Sequence, residues 1–146
     1  ELTHAIFAWL TLHRVTGLSV TWRSGGACTF EGSGGANWFI RLGPYWFPTL
    51  SVPALWALSM LDQTHRSEMH LIVGLTIGYH LTSTWRETHV KQPDLKQTGL
   101  LFAFIFLPTA NLLVYGGITL FTLCGPQAAY AFVQTVGSET FRWLSQ

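Results

Sequence analysis

Residues 97 to 138 form a run of 42 positions without one Asp, Glu, Lys or Arg. In an ordinary soluble domain about a quarter of residues are charged. A charge at mid-bilayer costs roughly 2.5–3.5 kcal/mol on insertion scales, so such a gap is where a membrane span is to be sought. The core of the run, about 99–124, is long enough to cross a hydrocarbon layer of about 30 Å. Pro108 inside it predicts a kink that a membrane helix tolerates, and Gly125-Pro126 predicts its end. The whole chain agrees: 10% of its 146 residues are charged, 49% are hydrophobic and 14% aromatic. Disorder is excluded and a soluble monomer is disfavoured. The net charge of +1 leaves no nucleic-acid footprint.

Two further gaps predict an all-α, up-down-up anchor of three helices within one domain, 1–146. The second span falls at about 69–86, where 17 uncharged residues make about 26 Å of helix. Its Gly74 and Gly78 form a step of the kind against which another helix packs. The first span falls at about 2–22 although it carries His4, His13 and Arg14. Between them lies a connection, 23–66, with loop signals at Arg23-Ser24-Gly25-Gly26 and at Glu31-Gly32-Ser33-Gly34-Gly35. No Gly-Lys-Ser/Thr comes after them, so these glycines make no phosphate loop. The later part of the connection is uncharged but broken by Pro44, Pro48 and Pro53, which predicts an interfacial or re-entrant segment. The tail, 126–146, reads as a short helix on the membrane surface. Cys28 and Cys124 stand too far apart in sequence for a zinc motif and do not make a disulfide framework. A first residue of Glu rather than Met is what a processed or truncated chain would show.

Six histidines are present, and those inside spans need a reason. His80 sits near the end of the second span, and His13 and Arg14 sit in the first. If the two helices are antiparallel, all three fall in the same half of the bilayer. A neutral imidazole can ligate iron, and an Arg at that depth can neutralise a haem propionate or bond a quinone carbonyl. The plainer readings stay open: His80 as a bond between helices, and Arg14 as a side chain that snorkels to the headgroups. His70 and His80 are ten positions apart, about 15 Å along a helix, and cannot serve one iron.

The stretch Leu12-His13-Arg14-Val15-Thr16-Gly17 resembles the His-Arg-x-Ser/Thr-Gly motif of the large cytochrome b anchor subunit of succinate dehydrogenase, respiratory complex II. Tyr79-His80 followed by Arg86 resembles that family's second signature, in a version that looks like a divergent eukaryotic, protist one. The resemblance implies that His80 is an axial ligand of haem b, with the second His from a small anchor subunit. It implies that His13 and Arg14 contact the haem, and that Arg14 also borders the ubiquinone pocket. Where the family commonly has a quinone-pocket Ser this chain has Leu10, with Thr11 beside it. The implied partners are the small anchor, the iron–sulfur and the flavoprotein subunits, with membrane lipid around a multi-pass chain of the mitochondrial inner membrane. The chain itself would bind rather than catalyse. Its N-terminus and the 86–96 loop would face the matrix, and the 23–65 connection and the tail the other side. The rival reading is a structural accessory membrane subunit of a respiratory complex, without a cofactor of its own.

Overall fold

The computed structural model describes residues 1–21, 25–31, 37–61 and 66–145. Parts of both glycine-rich loop signals, as well as Arg23 and His65, lie outside the described residues. Seven helices and one hairpin make up the regular structure that is described: α1 (Leu2–Leu10), β1 (Val15–Thr21), β2 (Gly25–Phe30), α2 (Trp38–Trp46), α3 (Ser51–Met60), α4 (Arg66–Glu87), α5 (Pro93–Thr98), α6 (Leu100–Cys124) and α7 (Pro126–Leu144).

The expected all-helical first span does not form. α1 ends at Leu10, after about 13 Å. The chain turns through Leu12, at φ 60°, and enters an antiparallel hairpin registered from Val15↔Phe30 to Thr21↔Gly25. The reason is local: four of the seven residues of β1 are Val or Thr, whose branched Cβ favours the extended chain. A bulge at Val15/Gly17 sets Gly17 against Thr29, where an added Cβ would stand 2.7 Å from the Thr29 hydroxyl.

α2 is the centre of the fold. Its Leu42 and Tyr45 pack against Leu95 of α5 and Ala103 and Leu107 of α6. Its Ile40 packs against Phe7 and Ala8 of α1. The proline-broken segment expected to be interfacial or re-entrant forms two helices, α2 and α3, parted at Pro48. Phe47 before that proline is extended, at ψ 108°, as the proline ring demands of its predecessor. Beyond the break, Ala54 and Leu58 of α3 pack with Val73 of α4 and Ile118 of α6. The α2–α3 pair therefore runs along α6, one helix on each half of it.

Among the described residues α6 is the one helix long and apolar enough to cross a membrane, with mean hydropathy 1.8. Ala103, Leu107, Ala110 and Ile118 make its buried stripe. Only 22% of its apolar window is buried by the rest of the chain. α4 stands where the second span was expected, but Thr76, Thr82, Ser83 and Thr84 and two histidines lower its hydropathy. Its Gly74 and Gly78 are exposed and a Cβ on either would meet nothing, so the packed face is instead that of Val73 and Ile77. Nor does the tail stand apart as a surface helix. After Gly125, at φ 89°, α7 folds back along α6 until the Phe132 ring lies against Gly116.

Candidate functional site

A helix broken by proline leaves carbonyls over, and two of them organise the centre of this molecule. The Pro44 carbonyl would accept from the N–H of residue 48, but Pro48 has none. The Tyr45 carbonyl would accept from Thr49, whose N–H turns to Phe47 O instead, at 2.9 Å. Both acceptors are taken by side chains from other helices. His80 Nε2–H of α4 donates to Pro44 O at 3.0 Å, and Asn111 Nδ2–H of α6 donates to Tyr45 O at 2.9 Å. The second Asn111 proton goes to Leu107 O of its own helix, at 2.8 Å. With Nε2 donating, the neutral His80 ring presents a lone pair at Nδ1, and the Tyr115 hydroxyl of α6 donates to it. A little further along, the fully buried Ser51 hydroxyl meets Thr76 Oγ1 at 2.9 Å, and Thr76 donates to Val73 O. α2, α3, α4 and α6 are thus tied at one level by neutral donors and acceptors.

A second, charged cluster lies at the end of the molecule where α1, α2 and α5 meet. Asp94 faces Arg41 Nη1 at 3.7 Å, His4 Nε2 at 3.7 Å and the Tyr45 hydroxyl at 3.5 Å. His4 is held from its other side, Nδ1–H donating to Ile40 O at 3.0 Å. Burial and the Asp94 carboxylate push the Tyr45 phenol well above its ordinary value of 10.0, so its proton is retained. A cavity of about 330 Å³ opens on this cluster, bordered by Cys28, Arg41, Gln92 and Asp94. Burial and the nearby Glu1 carboxylate raise the Cys28 thiol.

The structure does not gather the residues expected at one cofactor site. Glu1 and Thr3, at the start of α1, border the cavity beside His80. His13 and Arg14 lie beyond the other end of that helix. His13 Nδ1–H donates to Thr11 O at 2.8 Å and its ring stands edge-on to Phe30. Arg14 is 80% exposed, 3.9 Å from Glu31. Leu10 is exposed, and the Thr11 hydroxyl bonds Phe7 O, which closes the helix end rather than lining a pocket. The physical cause is the early stop of α1, which turns the motif out onto the hairpin. The hairpin also brings Cys28 beside Gln92 and Asp94, so part of the 23–65 connection shares an end of the molecule with the 86–96 loop instead of opposing it.

Sequence patterns by themselves do not mark Arg41, Asp94, Tyr45, Asn111 or Tyr115. One indirect signal exists: Pro44 and Pro48 stand four apart, a spacing that denies a helical carbonyl its donor and calls for polar side chains elsewhere. As it stands His80 does not fit a haem ligand: Nε2 carries the proton it gives to Pro44 O, and the Nδ1 lone pair accepts from Tyr115, so neither nitrogen is open to a metal. The cavity against His80 is about 220 Å³, below the roughly 300–1,000 Å³ of small-molecule pockets, so among the described residues this cavity has no room for a macrocycle. His70 lines a different cavity, with Leu58, Ser67 and Phe121. Comparisons of the chain with protein-family models, with curated proteins and with solved structures found no match.

Proposed function

We propose that the chain is a membrane-anchor subunit of succinate dehydrogenase, respiratory complex II, seated in the mitochondrial inner membrane beside the small anchor, iron–sulfur and flavoprotein subunits. What supports this reading is the sequence pattern around Tyr79-His80 and Arg86 together with the exposed apolar helix α6; within the chain His80 is held between α2 and α6, with Nδ1 on Tyr115 and Nε2 on Pro44 O. The uncovered apolar faces of α4 and α6, including Leu71, Leu75, Leu101 and Ile105, suit lipid and partner helices. In this reading α6 crosses the membrane and α4 lies against it as a second span, its polar residues facing partners.

In this reading His80 would supply one axial nitrogen of haem b only after Nε2 gave up its bond to Pro44 O, with the small anchor supplying the other, and the group would serve the complex as a one-electron store beside ubiquinone. The chain's own work is to fix the imidazole and to keep water from it. Arg14 reaches a propionate or a quinone only if a partner brings the group to the hairpin end, since nothing in this chain turns it inward.

A specific observation favours the structural-subunit reading as the second choice: both His80 nitrogens are satisfied within the chain, as a purely structural bond between helices would have them. Purifying the native complex in mild detergent separates the two. Succinate dehydrogenase companions and a low-spin b-type spectrum that disappears in His80→Leu support the anchor reading. Other companions, or a complex without that spectrum, sink it.

A further inference from the structure

Resting on the membrane crossing of α6 in the reading above, we propose that α1 and the turn after it, residues 2–14, lie in the boundary between phospholipid headgroups and acyl chains, with Trp9, Leu10 and Leu12 among the chains and Arg14 at the phosphates. For a surface that meets water the segment is turned inside out. Its polar side chains point into the chain: Thr3 Oγ1 meets Thr49 Oγ1 at 2.7 Å, His4 lies between Ile40 O and Asp94, and the Thr11 hydroxyl and His13 Nδ1–H donate to carbonyls of the same turn. What it shows outward is apolar, since Leu2, Trp9, Leu10 and Leu12 are all exposed. The backbone of the turn is also closed on itself. Thr11 N–H donates to Phe7 O at 3.1 Å, Leu12 N–H to Trp9 O at 3.0 Å and His13 N–H to Ala8 O at 2.8 Å, so the turn leaves water without stranding these donors.

Depth and charge select lipid as the cover. Phe7 of α1 stands edge-on to Trp46 at 5.6 Å, and Trp46 edge-on to Phe106 at 6.2 Å. Phe106 is the seventh residue of α6, about 9 Å into the span, and an interfacial helix seats its apolar face about 5–10 Å deep. Trp9 is the residue type that gathers at this level of a bilayer. Arg14, two residues past Leu12, is exposed and only loosely paired: at 3.9 Å from Glu31 its guanidinium is beyond hydrogen-bond distance and free to turn to a phosphate, the anion its planar fork suits. Away from lipid the left-handed turn at Leu12 only costs stability; in lipid, burial of its side chain offsets that cost.

Nitroxide labels on the full chain in phosphatidylcholine vesicles test the assignment, placed one at a time through Leu12→Cys, Leu112→Cys and Lys91→Cys, with Cys28 and Cys124 changed to Ser. Lys91 is exposed in the loop before α5 and serves as the aqueous reference, and Leu112 is exposed midway along α6. Relaxation by oxygen, which collects among acyl chains, relative to relaxation by a water-soluble nickel chelate should be several-fold higher at position 12 than at position 91. A label at position 12 that meets the chelate as freely as the one at position 91 overturns the proposal, because the patch then faces water until a partner protein covers it. The label at position 112 reports the crossing itself. If it too is open to the chelate, the crossing of α6 fails and the proposal with it; if it lies in lipid while position 12 lies in water, the proposal alone fails. Should Leu12→Cys not fold, Leu10→Cys gives the same reading from the other side of the turn.

Discussion

Leu12 bears the clearest mark of local conflict. It is 96% exposed and held at φ 60°, a left-handed conformation that costs a residue with a Cβ roughly 1–2 kcal/mol. Nothing is packed on it that would repay the cost, so Leu12→Gly should raise the thermal midpoint, by about 1 kcal/mol in stability. A lower midpoint would mean that the leucine makes a contact in the membrane or with a partner. Tyr45 has a different signature, in pH. Its folded value is raised, so the folded chain keeps a proton that the unfolded chain gives up above about pH 10. Stability is then fully present below that pH and falls as pH rises through and beyond it. Urea midpoints between pH 9 and 11 should drop more steeply for the wild type than for Tyr45→Phe, and parallel curves would refute the coupling. Neither residue is legible in the sequence: the conformation of Leu12 is imposed by the strand into which its turn leads, and the burial of Tyr45 against Asp94 joins positions 49 apart.

At the level of elements, composition is a sounder guide in this chain than length. α6 is legible because a charge-free run is a one-dimensional property, unaffected by what packs on it. α4 is legible in place and nearly in extent. The first span fails because hydropathy counts Val and Thr as acceptable membrane residues while their branched Cβ atoms favour a strand. The central tie is half legible. His80 stands out as a polar residue in an apolar stretch, but Asn111, uncharged inside the most apolar helix, gives no such sign. Asn111→Leu leaves the Tyr45 carbonyl without a donor, for about 1–3 kcal/mol. Its effect should be visible as a lowered unfolding midpoint in detergent and as faster amide exchange in α2. An unchanged midpoint would show that water replaces the amide and that α6 is not pinned there.

For the whole molecule, the proposed membrane crossing has two natural reporters. Cys28 lies at the Asp94 end and Cys124 closes the far end of α6, a helix of 25 residues and about 37 Å. In sealed vesicles an impermeant maleimide should reach one cysteine from each side, with Cys28 reacting slowly at neutral pH because its thiol is raised. Labelling of both from the same side would deny that α6 crosses. The proline break has a mechanical consequence for such a crossing. Pro44 and Tyr45 are adjacent in the chain, so the donors from α4 and α6 grip neighbouring points on one turn. An axial slip of either helix by one residue, about 1.5 Å, takes its donor off the carbonyl. A bilayer that thins or thickens must then be met by leaning α4 and α6 together as one plank, not by sliding one past the other.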